Sequence, residues 1–385
     1  MSSIVLPRAG GGVEEVPLAE PASLPSRAGR PSSRRAFAAA HVVAAPLTAC
    51  AAQTAGGVDW EATIEERRRI WSLGLGVAEA MDTAQRGMGM TWPDIQILVD
   101  LSLAEAAAVG GQTVVGISND NAPDGRLPLE RIEEAYLEQL EFVESRGGQC
   151  VVMASRQLAA SATSPDDYLK VYSAVLSAAR RPVILHWLGA AFDPALAGYW
   201  GHDRPDDAAD TVLDLMSAHR EHVDGIKLSL LDAPFEKHLR SRMPPGMKLY
   251  TGDDFNYVDL IAGDGGQHSH ALLGAFAAIA PFARAALARL DADDVDGFRQ
   301  VLEPTLPLSR LVFAAPTSMY KTGIVWLAYL EGRQTHFRMI GGMESGRSIS
   351  HLLDLFREAN RIGLFPEPDL TAERLRRYLA VHGLG

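Results

Sequence analysis

Val223-Asp224-Gly225-Ile226-Lys227-Leu228-Ser229 is a short β-prone run that carries one lysine among apolar neighbours. In an extended strand, side chains alternate between two faces. Val223, Gly225 and Lys227 then share one face, and Asp224 and Ile226 the other. The isoleucine face suits packing against helices, so Lys227 points the opposite way, into whatever the strand encloses.

Working outward, similar runs recur at Phe37–Val43, Gly76–Met81, Thr113–Ile117, Cys150–Met153, Val183–Trp187, Met247–Tyr250 and Leu260–Gly263. Helix-period segments separate them: Trp60–Leu73, Trp92–Val109, Pro128–Arg146, Pro165–Arg180, Asp206–Arg220, Ala233–Arg242 and a short one near Phe255. Ser164-Pro165 and Asp232-Ala233-Pro234 read as helix entries. Eight strands alternating with helices call for a parallel sheet, and eight units in this length suit a closed (β/α)8 barrel. No GxGxxG follows the first strand, which weighs against a dinucleotide-binding sheet. Beyond the eighth run, a long alanine-rich helix is expected over Ala271–Leu290, with further helices near Asp294–Leu302, Leu308–Leu330, Ile349–Ile362 and Thr371–Val381. The expected organisation is residues 1–33 as an N-terminal segment, 34–290 as the α/β barrel and 291–385 as a C-terminal helical extension. Residues 1–33 read either as a hairpin closing the barrel bottom before a Pro/Ser linker, or as a disordered tail.

The 385 residues are 47% hydrophobic, enough for a sizeable core, and carry a net charge of −12. An acidic balance without a basic run argues against nucleic acid and anionic membranes as partners. No apolar stretch reaches the roughly 18 residues needed to span a bilayer. Arg34-Arg35 before the small apolar residues 36–52 superficially resembles a secretion signal, but it begins too late in the chain, so a buried strand and a cytoplasmic protein are expected. Cys50 and Cys150 form no disulfide framework. The lysine usage is more informative. Lysine occurs five times, at Lys170, Lys227, Lys237, Lys248 and Lys321, and the other 31 basic residues are arginine. In such a chain a lysine away from the surface is there for its primary amine, which can lose a proton and attack a carbonyl as guanidinium cannot.

Barrel active sites form at the C-terminal strand ends. The polar residues expected there are His41; Glu79, Asp82, Thr83 and Gln85; Ser118–Asp120; Ser155–Gln157; His186 and Trp187; Lys227; Asp253 and Asp254; and Gly265 through His270, including His268. A lysine enclosed by apolar walls has its pKa depressed, which frees its lone pair.

Val223–Ser229 resembles the strand-six motif of the dihydrodipicolinate synthase and N-acetylneuraminate lyase family of class I aldolases. Pro182–His186, Tyr250–Asp254, Gly263–Ser269 and Tyr320-Lys321 through Arg338 are similar to its strand five, strand-seven turn, Gly-rich strand-eight loop and C-terminal helices. The resemblance covers most of residues 36–365 and implies that Lys227 forms a Schiff base. The departures imply a divergent, dihydrodipicolinate-synthase-like branch. His186 replaces the strand-five tyrosine that relays protons, and an imidazole can take over that work. Met81-Asp82-Thr83-Ala84-Gln85 replaces Gly-Thr-Thr-Gly-Glu, leaving Thr83 as the match. No arginine in Leu188–Asp193 stands where many members hold a pyruvate-type carboxylate.

The expected function is therefore cofactor-free, Schiff-base aldolase or lyase chemistry on a sugar-derived keto compound, a 2-keto acid or a ketose. Lys227, His186, Thr83 and Asp82 are the catalytic candidates. Gln85, Glu79, Asp253, Asp254, Gly265, His268 and Trp187 are candidates for contacting substrate. The resemblance also implies a homo-oligomer, a dimer or tetramer. An alternative is a divalent-metal-dependent sugar lyase or isomerase, since His41, His186, His268 and His270 with Asp82, Glu79, Asp253 and Asp254 offer suitable ligands. A non-enzymatic binding or regulatory role is a third reading.

Overall fold

The computed structural model describes residues 3–8, 10–25, 29–50 and 57–384. Eight barrel strands, numbered here one to eight, are Ala36–Ala39, Gly76–Glu79, Thr113–Ile117, Gln149–Val152, Val183–Leu188, Val223–Ser229, Lys248–Thr251 and His270–Leu273. All pair in parallel with their sequence neighbours, and strand eight pairs with strand one to close the barrel. Phe37, Ala39, Ala78, Val114, Val151, Ile184, Tyr250 and Leu272 fill the interior as their own buried cluster. Their alternate neighbours, among them Val115, Leu185, Ile226 and Leu249, pack outward against helices. Period-two alternation thus gives the barrel two apolar faces, as full enclosure requires.

Helices Trp60–Ser72, Trp92–Val109, Leu129–Glu144, Pro165–Ala178, Pro205–Ala218 and Ala233–Arg242 follow strands one to six. Their starts are written in the sequence. Asp59 accepts from Ala62 N at 3.0 Å, Asp232 accepts from Phe235 N at 3.0 Å, and Thr91 and Asp94 form a capping box. Ser164 occupies the expected cap position, but Pro165 starts that helix without a side-chain cap bond.

Strand eight corrects the expectation. Leu260–Gly263 is not a strand: Tyr257–Ala262 is a helix, and the strand is His270–Leu273, of which all but His270 fall in the stretch expected to be helical. Helices Ala275–Ala278 and Ala280–Leu290 follow it. Short runs buried on every side carry no usable periodicity, so neighbours decide. Here Ala271–Leu273 pair with Ala36–Ala38, and His270 and Ala271 pair with Tyr250 and Thr251. The Gly263–Ser269 loop therefore precedes strand eight and lies at the N-terminal end of the barrel.

Ser3–Pro7 and Val13–Pro17 form an antiparallel hairpin. Glu14 accepts from Arg357 Nε at 2.8 Å, which ties the hairpin to helix Ile349–Arg361 of the C-terminal extension. Within that extension, all eleven residues of helix Tyr320–Leu330 are buried, the polar Lys321 and Thr322 included. Its first turn reaches the C-terminal strand ends. No helix among the described residues is long and apolar enough to cross a membrane.

Candidate active site

Lys227 lies in register with His186 on strand five and Tyr250 on strand seven. Parallel neighbours share a face, so all three turn into the barrel. Lys227 is only 8% exposed. Its stem has room because Gly252 has no side chain: a Cβ there would lie 2.9 Å from Lys227 Cε and 2.1 Å from Ser229 Oγ. Burial holds the Lys227 amine below its ordinary pKa, against the opposing pull of Asp82 and Asp254.

Asp254, in the turn after strand seven, is buried beside that amine and accepts from Ala275 N at 2.8 Å. Burial pushes its carboxyl up to about 7, although the Ala275 bond and the Lys227 charge work in the other direction. The site thus pairs an amine driven towards neutrality with a carboxyl that can hold a proton near pH 7.

Asp82 and Thr83 follow strand two in a tight turn flanked by two left-handed residues, Ala80 at φ 55° and Gln85 at φ 58°. Such backbone is strained for residues with side chains and persists where its surroundings enforce it. Gln85 supplies part of that enforcement, since its Nε2 donates to Ile340 O at 2.8 Å and Met88 O at 3.1 Å. Thr83 Oγ1 lies 2.7 Å from Tyr320 OH. The Tyr320 ring stacks on Phe313, with centroids 4.5 Å apart. Gly274, just past strand eight, leaves room for both rings, because a Cβ there would sit 2.9 Å from Phe313 and 3.1 Å from Tyr320. Burial first, then the charges of Asp82 and Asp254, hold the Tyr320 phenol well above its ordinary range, so it stays protonated.

His186 shares the interior layer with Lys227, and its Nε2 lies 3.2 Å from Ser229 Oγ. Burial, reinforced by the Lys227 charge, holds the imidazole well below its usual pKa. It is neutral at pH 7, not the near-neutral titrating group expected from the sequence.

Several expected substrate contacts are elsewhere. Glu79 faces the helices and forms a buried bidentate pair with Arg67, both bonds 2.9 Å. Asp253 caps its own turn, accepting from Phe255 N and Asn256 N at 2.9 and 3.1 Å. Gln85 braces the strand-two loop, as described above. Trp187 points outward and packs edge-on against Trp200 and Phe235. Gly265 and His268 are in the loop at the opposite end of the barrel, where His268 packs against His270 and His270 Nδ1 accepts from Arg35 N at 3.0 Å. The ligand set of the metal reading is dispersed by the same facts, and His41 is engaged with Gln334 at 3.0 Å. Among the described residues no three His, Cys, Asp or Glu side chains converge on a metal position.

Tyr320 and Ser229 are the site groups that sequence reasoning passed over. Tyr320 had one faint signal, its place in the stretch resembling a family's C-terminal helices. Past the ends of strands two to five, a cavity of about 290 Å³ is lined by Asp82, Arg86, Trp92, Arg156 and Gln157 among others.

A family model described as "Protein of unknown function (DUF993)" matches residues 4–384. A comparison with curated proteins finds no match. Solved structures share the fold at low identity. Dihydrodipicolinate synthase from Bacteroides thetaiotaomicron aligns with a TM-score of 0.63 at 12% identity, covering 85% of this chain and 98% of its own. The enzyme of that name from Acinetobacter baumannii, complexed with pyruvate, gives 0.62 at 14%, covering 87% and 100%. CdNal from Clostridium difficile, in complex with mannosamine, gives 0.61 at 12%, covering 90% and 99%. The chain has the barrel and C-terminal helices of these structures.

Proposed function

The chain belongs to the DUF993 family, and for it we propose class I, imine-forming aldolase or lyase chemistry at Lys227 on a sugar-derived keto compound, either a 2-keto acid or a ketose. The observation that carries this reading is the buried Lys227 amine facing the barrel interior, with the Asp254 carboxyl near pKa 7 beside it. Desolvation frees the amine to attack a carbonyl carbon. The carbinolamine then loses water, and the protonated imine draws electrons from the adjacent C–C bond, which breaks or forms. Asp254 donates the proton that carries off the hydroxyl and takes it back during hydrolysis, work suited to a group titrating near the operating pH.

Thr83 and Tyr320 provide a hydroxyl pair for relaying protons, so the phenol absent from strand five enters from helix Tyr320–Leu330 instead. His186, neutral and bonded to Ser229, is in this reading a positioning residue beside Lys227. Asp82 lines the cavity and faces substrate hydroxyls. The pyruvate bound to the Acinetobacter baumannii synthase and the mannosamine bound to CdNal support keto-acid or sugar-derived substrates. We place the activity in the cytoplasm, without a cofactor, in a homo-oligomer.

The test is turnover of a panel of 2-keto acids and ketoses by wild type and Lys227→Arg. Arginine keeps the charge and removes the nucleophile, so the variant should fold normally and lose essentially all activity. An active Lys227→Arg protein, or one silenced only by chelators, would overturn the reading.

A further inference from the structure

Three of the five lysines lie in salt bridges: Lys170 with Glu130 at 2.6 Å, Lys237 with Asp264 at 2.9 Å and Lys248 with Asp224 at 2.6 Å. Among the described residues the other two, Lys227 and Lys321, are buried and have no such partner. The proposed chemistry uses Lys227 and leaves Lys321 unexplained.

Lys321 is 1% exposed. Its Nζ contacts Met88 Sδ at 2.9 Å and sits 5.2 Å from the Tyr320 ring centroid. A thioether is a weak acceptor, and a buried ammonium without an anion is costly. Its position adds to that cost, because Lys321 is the second residue of helix Tyr320–Leu330, at the positive end of the helix dipole. Burial lowers its pKa to about 8, so it still carries its charge at neutral pH.

The charges that act on Lys321 are Asp82, which stabilises the ammonium, and Arg156, which opposes it. Both line the cavity at the strand ends, as do Gly87 and Met90 on either side of Met88. Arg156 commits its Nε to Asp193, and its terminal nitrogens have no hydrogen bond among the described residues. Asp82 is also the neighbour of Lys227. The charge of one half-buried carboxylate is thus felt by both amines, one placed for a carbonyl and the other short of an anion.

We propose that Lys321, together with Arg156, binds the anionic group of the substrate, a carboxylate or a phosphate, and so presents the neighbouring carbonyl to Lys227. The direction of that presentation rests on the imine reading, whereas the anion site rests on Lys321 and Arg156 and not on Lys227.

Isothermal titration calorimetry of the full chain at pH 7, with inorganic phosphate and with malonate as separate probes, tests the site. Wild type should bind at least one probe, and which one distinguishes phosphate from carboxylate substrates. Lys321→Met should weaken that binding by about tenfold or more, while Lys321→Arg should retain most of it. Lys321→Gln serves as the neutral variant if methionine prevents folding. Equal affinity in wild type and the neutral variants, or no binding of either probe by wild type, would overturn the proposal. A chain that binds anions through Lys321 yet forms no imine would overturn the Lys227 reading and leave this one standing.

Discussion

Burying a charged amine costs stability, and Lys321 gives that cost a measurable sign. Its folded pKa is depressed from 10.5 to about 8. Between those values the unfolded chain binds more protons, so stability rises with pH there, and below about pH 8 the folded state bears the full penalty. Removing the charge should therefore stabilise the protein. Lys321→Met is expected to exceed wild type by up to roughly 3 kcal/mol at pH 7, with the gain shrinking between pH 8 and 10.5. Thermal unfolding across that range checks it, and a gain independent of pH would contradict it. Gly252 makes a different residue-scale point. A methyl group there meets Ser229 Oγ and displaces the Lys227 stem, so Gly252→Ala should fold but lose about 10²-fold in turnover, as misplaced reacting groups do. Wild-type turnover in that variant would show that the lysine does not need this path.

Helix Ala233–Arg242 ties strand seven to the residue just before strand eight through one buried carboxyl. Glu236 accepts from Thr251 Oγ1 at 3.0 Å and Ser269 Oγ at 2.7 Å. Burial raises its pKa from 4.5 to about 8, against those two hydrogen bonds. The folded state then binds the extra proton, so the associated stability is full below pH 4.5 and is lost as pH rises towards 8, by up to roughly 4 kcal/mol. Glu236→Gln keeps the shape without the proton and should flatten that decline in chemical-denaturation curves; an unchanged slope would remove Glu236 as its cause. The elements themselves were unevenly legible. Strands one to seven stood out because their apolar runs are bounded by capped helices. Strand eight did not, because Tyr257–Ala262 and His270–Leu273 are both short and buried, and alanine's helix preference at Ala271 yields to pairing on both edges. That one displacement carried His268 and Gly265 to the wrong end of the barrel.

At the scale of the whole molecule, the alternation of runs was enough to read the closed barrel, and the bias towards arginine drew attention to the buried lysines without separating Lys227 from Lys321. Tyr320 was hidden because nothing in a helix buried along its whole length tells which of its residues meets a loop from strand two; only the assembled tertiary structure brings it to Thr83. The acidic, helical exterior and the family resemblance lead us to expect a dimer or tetramer, and light scattering that returned a 41.5 kDa monomer would contradict this. The central claim concerns which of five lysines in the intact protein is the nucleophile. Incubation with 2-keto acids and ketoses in the presence of borohydride, followed by peptide mapping by mass spectrometry, answers it directly. The account predicts a stable reduced adduct on the peptide bearing Lys227 and unmodified Lys321. An adduct on Lys321 instead, or none on any lysine, would contradict it.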